Sequence, residues 1–184
     1  MDIGPVIKCD LHRKRGRHDR TFLIQSILKD PSFRYIYLMR KTSAYHKRHP
    51  VGMLWRTLMK RCSARYGMQI SPETRIGKGF SLLHWGPMVV SHITVIGDYC
   101  TLSQGVTIGL SPRGDRKGAP TLGNRVWVGP NAVLVGEITI GDNVLIAPGA
   151  YVNFDVPDNS IVIGNPGKII ESESATEGYI ENML

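Results

Sequence analysis

The stretch V-I-G-D-Y-C-T-L-S-Q-G-V-T-I-G (95–109), resumed at T-L-G-N-R-V-W-V-G-P-N-A-V-L-V-G-E-I-T-I-G-D-N-V-L-I-A-P-G-A-Y-V (121–152), carries an aliphatic residue at every sixth position. The series runs Ile96, Leu102, Ile108, then Leu122, Val128, Leu134, Ile140, Ile146 and Val152, and Gly97, Gly109, Gly123, Gly129 and Gly141 directly follow members of it. Four positions after most of them stands a small or apolar residue: Cys100, Val106, Val126, Ala132, Ile138, Val144 and Ala150. A six-residue step rotates an α-helix by about 240°, so this pattern builds no helical face. It suits one short strand and one tight turn per repeat, three repeats closing a triangular coil of parallel β-helix with the aliphatics stacked inside. The glycines are expected to relieve turns of unusual backbone angle.

Two departures interrupt the period. Between Ile108 and Leu122 an eight-residue insertion contains S-P-R-G-D-R-K-G. Going backwards, Ile76 and Leu82 keep one frame and Val90 and Ile96 another, so two further residues are inserted at L-H-W-G (83–86). Such a bulge, bearing His84 and Trp85, is a place where a site projects outward. Subtracting both insertions leaves about four coils.

The remaining sequence is of another kind. Residues 1–75 hold 17 basic and 5 acidic side chains, a net of +12, whereas residues 76–184 hold 6 and 10, a net of −4. After a ragged basic opening, apolar periodicity in 21–28, 33–39 and 53–59, with Pro31 and Pro50 at restarts and Gly67 at the end, predicts two or three short amphipathic helices. The boundaries read as a basic helical segment over 1–68, the β-helix over 69–170 with its loop at 110–121, and an acidic tail over 171–184. The fold class is therefore mainly β, a parallel β-helix with a short N-terminal α-helical segment. The basic face over residues 8–65 reads either as a solvated surface or as an attraction to an anionic membrane or polyanion; no nucleic-acid motif accompanies it, so no nucleic-acid partner is expected. The charged N-terminus, the absence of a long apolar run and three dispersed cysteines (Cys9, Cys62, Cys100) suit a cytoplasmic protein, peripheral at most to the inner membrane face. His92 has no Cys or carboxylate companion, and no metal is expected.

Several stretches carry a specific likeness: I-S-P-E-T-R-I-G-K-G (70–79), L-L-H-W-G-P-M-V-V (82–90), L-S-Q-G-V-T-I-G (102–109), V-W-V-G-P-N-A-V-L-V-G (126–136) and I-G-N-P-G-K-I-I (163–170). Together they resemble the serine acetyltransferase family of hexapeptide-repeat acyltransferases, above all its short members from polysaccharide clusters. The resemblance implies a left-handed β-helix, a homotrimer and acetyl-CoA bound in a groove between neighbouring subunits. It makes His84 the general base, a role for which an imidazole with a pKa near 7 is suited. It places Gly109, Gly129, Asn131, Ala132, Ala147, Gly164, Pro166 and Lys168 along the cofactor, where small side chains admit a ligand to the backbone and a cation faces its phosphates.

For the acceptor the resemblance implicates Gln69, Trp85 and Arg116, and here the chain departs from the family. The position of the family's histidine-orienting aspartate is Gln69, the residue before His84 is Leu83 instead of an aspartate, and Ala119 replaces a second histidine. Trp85 and Trp127 suit the lining of a groove for a sugar or packing at a subunit interface. The expected function is acetyl-CoA-dependent transfer to a hydroxyl of a surface or capsular polysaccharide precursor. The alternatives are serine O-acetylation for cysteine synthesis and a non-catalytic trimeric scaffold.

Overall fold

The computed structural model describes residues 3–46 and 48–184. Four helices come first: α1 (Gly4–Arg15), α2 (Arg20–Lys29), α3 (Pro31–Ser43) and α4 (Pro50–Tyr66). The segment expected to be a ragged opening is thus a helix. Its signal is faint because its stripe is only Ile7 and Leu11, which pack on Phe22 and Phe33 in a small satellite core. Asp19 and Asp30 cap α2 and α3 through their carboxylates, Asp30 accepting from the backbone of Ser32 and Phe33, while Pro31 and Pro50 occupy first turns that need no N–H.

Fifteen strands follow: β1 (Met68–Ile70), β2 (Arg75–Ile76), β3 (Ser81–Leu82), β4 (Met88–Val90), β5 (Val95–Ile96), β6 (Thr101–Leu102), β7 (Thr107–Gly109), β8 (Thr121–Leu122), β9 (Val126–Val128), β10 (Val133–Val135), β11 (Thr139–Ile140), β12 (Val144–Ile146), β13 (Tyr151–Val152), β14 (Ser160–Ile163) and β15 (Lys168–Glu171). They form three parallel faces: a first of β1-β4-β7-β10-β13, a second of β2-β5-β8-β11, and a third of β3-β6-β9-β12-β14, to which β15 adds antiparallel. This is the left-handed β-helix that hexapeptide repeats build. The first face has five rungs, against the four coils expected from the period. The count from Ile76 misses Met68–Ile70, which pairs with Met88–Val90 one turn later.

Register locates both insertions. Leu134 lies over Ile108 and under Val152, and Leu122 lies under Ile140. Leu82 aligns with Leu102 twenty residues on, so the excess of the first turn falls at the corner from the third face to the first, where 83–87 run. The long loop leaves from the opposite side of the first face. The interior is the predicted ladder: Leu102, Ile108, Val128, Leu134, Ile140, Ile146 and Val152 are wholly buried, as are Cys100, Val106, Val126, Ala132, Val144 and Ala150. Burial pushes the Cys100 thiol up to about 12.

The repeat glycines act differently from the expectation. Positive φ occurs two residues later, at Tyr99, Arg125, Asn131 and Asn143, whereas Gly97, Gly123, Gly129 and Gly141 are absent from that set. What they supply is close approach between turns: a Cβ on Gly97 would lie 2.4 Å from the carbonyl oxygen of Gly123.

A buried ion pair joins the two regions. Arg40 of α3 holds Asp10 of α1 at 2.9 Å and donates to the carbonyls of Ile76 and Gly77, while the Asp10 carboxylate also accepts from Phe80 N–H. Burial pushes the Asp10 carboxyl up, against the opposing pull of the Arg40 guanidinium. The acidic tail is docked on the third face, where Ala175, Ile180 and Tyr179 cover Trp127 and Leu145.

Candidate active site

The corner between the third and first faces recurs in every turn, and its turns stack on one another. Gly105 N–H donates to Pro87 O at 2.7 Å, Asn131 N–H to Gln104 O at 3.1 Å, Gly149 N–H to Pro130 O at 2.8 Å, and Tyr151 N–H to Gly164 O at 3.0 Å. The result is one continuous edge of the prism, about 19 Å long for five rungs at about 4.8 Å per step. Most of the sequence-derived candidates share it. His84 and Trp85 stand on its first turn, Gly129, Asn131 and Ala132 on the third, Ala147 on the fourth, and Gly164 and Pro166 on the last. Their common edge was hidden in the sequence because residues as far apart as 84 and 164 are aligned only through the coil's rise.

His84 is exposed, and among the described residues its imidazole makes no hydrogen bond or ion pair. Its loop is fixed on both flanks. Trp85 meets Tyr66 of α4 edge to face at 5.5 Å, Met88 N–H donates to Gly67 O, and Gly86 packs against Gln104 Cβ of the next turn. An imidazole held by its backbone and unpaired at both ring nitrogens can accept a proton from a hydroxyl brought beside it. One rung on, Ser103 Oγ and Gln104 Oε1 are buried without a hydrogen-bond partner among the described residues. Sequence reasoning passed over both, and no spacing signal marks them. Polar groups in that condition are uncommon in folded proteins; the other two among the described residues, Thr74 and Thr94, lie away from this edge.

Four candidates lie elsewhere. Gln69 points outward from β1 on the first face, beside Val89. It lines a cleft of about 410 Å³ between α4 and that face, with Arg56, Met59, Lys60, Val89 and His92. Lys168 opens β15, opposite Ile163 and exposed, just past the end of the edge. Gly109 ends β7 at the far side of the first face, where the loop departs.

Arg116, implicated for the acceptor, holds that loop to its neighbours in this structure. Its guanidinium contacts Asp155 at 3.1 Å and donates to Glu137 O, and its own carbonyl accepts from Glu137 N–H. Thr139 N–H, and after it Arg116, hold the Asp155 carboxyl below the usual carboxylate range. Trp127 lines no groove, because the tail buries it; Ala175 and Ile180 need an apolar partner, and the third face offers one.

The family model for the bacterial transferase hexapeptide, six repeats, matches residues 119–153. A serine acetyltransferase of Helicobacter pylori is 35% identical over 147 residues, which make up 80% of this chain and 85% of that protein. The chain belongs to the serine acetyltransferase family. A second relative, the serine acetyltransferase of Synechococcus elongatus, is 36% identical over 104 residues. That match takes in 56% of this chain but 43% of the relative, so the chain spans less than half of the cyanobacterial protein. Among solved structures, the serine acetyltransferase of Brucella abortus in complex with coenzyme A superposes with a TM-score of 0.76 at 27% identity, covering 91% of this family member and 67% of that chain. The family is thus established across helices and coil together, since the superposition includes nearly the whole chain.

Proposed function

We propose that this protein is an acetyl-CoA-dependent O-acetyltransferase whose chemistry runs along the His84 edge. The observation that carries the reading is the stacking, on one side of the prism, of an unpaired exposed histidine with four further turns of small residues. His84 takes the proton of the acceptor hydroxyl as its oxygen attacks the thioester carbonyl. The carbon–sulfur bond then breaks, and the imidazolium returns the proton to the departing thiolate. Acetyl-CoA supplies the activated acyl group. The turns at Gly129–Ala132, Ala147 and Gly164–Pro166 offer it backbone at close approach, and Lys168 offers a cation at the far end.

A homotrimer is part of the proposal. The third face is covered by the tail and by Arg13 of α1, and the second presents Arg75, Thr121 and Thr139. The first, beyond its cleft with α4, presents Thr107, Val133, Val135 and Tyr151. A threefold arrangement burying that face sets the His84 edge of one copy beside the Gly109–Arg116 edge of the next.

For the acceptor, L-serine is the reading favoured by the relatives, which bear that name. A second reading, a sugar hydroxyl of a polysaccharide precursor, is favoured by neutral Gln69, Leu83 and Ala119 and by the engagement of Arg116 with Asp155. A pocket for a free zwitterion needs charges that these positions no longer supply.

The test is thiol release from acetyl-CoA with L-serine, simple sugars and nucleotide-sugars offered in turn. His84→Ala should lower turnover by roughly 10²–10⁴-fold. Undiminished turnover in that variant would remove His84 from the mechanism. Brisk turnover of serine eliminates the sugar reading, and turnover confined to sugars eliminates serine.

A further inference from the structure

Between Asp30 and Glu73 the chain holds no acidic residue, and nine basic ones lie among those 42 positions: Arg34, Arg40, Lys41, Lys47, Arg48, Arg56, Lys60, Arg61 and Arg65. Tertiary contacts use up part of this charge. Arg40 is buried against Asp10, and Arg34 donates to the carbonyls of Ile27 and Leu28. On α1, Arg13 is buried against Gly79 O and Thr101, and Lys14 pairs with Asp30. The exposed cations on α4 and its approach are Arg48, Lys60, Arg61 and Arg65, and a second exposed group, Arg15, Arg20 and Lys29, lies on α1 and α2.

The same helix leaves apolar side chains exposed among the described residues. Val51, Leu54 and Leu58 are 42%, 57% and 37% exposed, and Met53 is 56% exposed. Val51, Leu54, Leu58, Arg61 and Arg65 follow one another at steps of three and four, so they form one stripe on a 17-residue helix about 25 Å long, apolar in its first half and basic in its second. The adjoining side of the helix is committed to the protein, through Met59 and Cys62 in the main core. A solvated face accounts for the arginines but leaves the aliphatic residues unexplained. An acidic protein partner would be met by charge alone.

We propose that the outer stripe of α4 seats the protein on an anionic lipid surface, with Val51, Leu54 and Leu58 entering the headgroup region while Arg48, Arg61 and Arg65 meet lipid phosphates. An amphipathic helix with a polar face rich in Lys and Arg has this mode of binding, and the stripe itself carries no carboxylate to be repelled by the leaflet, Glu73 lying against Arg56 on another side of the helix. None of the described helices is long and apolar enough to cross a membrane, so the contact is one of lying on the surface. The proposal stands apart from the catalytic reading, because it uses no residue of the His84 edge.

The full-length protein is mixed with vesicles of phosphatidylcholine alone, or of phosphatidylcholine with phosphatidylglycerol, and the bound fraction is measured by sedimentation. Binding is expected on the phosphatidylglycerol vesicles only, and it should fall steeply as added salt shortens the screening length from about 30 Å to about 3 Å. Leu54→Ser with Leu58→Ser, and separately Arg61→Glu, should each weaken partitioning at least about tenfold with unchanged far-ultraviolet circular dichroism. Equal binding to both vesicle types, no binding to either, or binding indifferent to these variants overturns the proposal. So does a loss of subunits from the lipid-free assembly in Leu54→Ser/Leu58→Ser, measured by light scattering, which would assign the stripe to a contact between copies.

Discussion

In the β-helix, Leu134 has Ile108 on one side and Val152 on the other, each the same position of the repeat one turn away. In the helical segment, Arg40 reaches from α3 to Asp10 in α1 and on to the carbonyls of Ile76 and Gly77 in the first coil. The coil is held by many equivalent contacts between near neighbours in a ladder, and the helices by a few unlike contacts that happen to meet. A ladder spreads stability and keeps a stiff edge on which a site can be laid out. The helical segment concentrates stability in single groups, and in exchange leaves most of the outer side of α4 free of structural duty.

The comparison can be broken in three places. The largest effect on stability is expected for Arg40→Met, which strands the Asp10 carboxylate in the interior. Removing one partner of such a pair costs about 3–5 kcal/mol, read as a fall in the denaturant midpoint. If the loss is instead under about 1 kcal/mol, the two regions are not coupled through this pair. Leu134→Ala, in the middle of the ladder, should cost about 2–5 kcal/mol, whereas the exposed Leu54→Ser should stay within about 0.5 kcal/mol. Equal losses at the two positions would mean that the α4 stripe is packed in the working assembly.

The smallest effect concerns the loop. The Asp155 carboxyl is held below its ordinary value of 3.8 by Thr139 N–H and Arg116. Its contribution is therefore complete above that value and is lost as pH falls through the lower, folded value. The pair is largely exposed, so the change is on the order of 1 kcal/mol or less. Amide protection in residues 110–121, taken relative to the intrinsic exchange rate at each pH, should fall below about pH 4, and Asp155→Asn should show the lower protection at neutral pH already.

What could be read from the chain follows from this same contrast. The ladder was legible at Ile96 through Val152 because each rung repeats one requirement, and the two-residue slip placed the His84 bulge at its corner. Helix α1 was not legible. Its pattern is only Ile7 and Leu11, and its reason for being helical, Asp10 and Arg13 reaching into the coil, is spread over sites as distant as Phe80 and Thr101. The contact of Arg116 with Asp155 was not legible for the same reason, since nothing near Arg116 in the chain announces Asp155.

The sequence alone therefore determined the β-helix, its two insertions and the family likeness of its turns, because a six-residue period forces each side chain to the inside or the outside locally. Only the tertiary structure decided that His84, Gly129, Asn131, Ala147 and Pro166 share one edge, that Arg116 is tied down, that Trp127 lies under the tail, and which of the many cations remain exposed. Those facts depend on the rise of the coil and on contacts between positions that no local pattern connects.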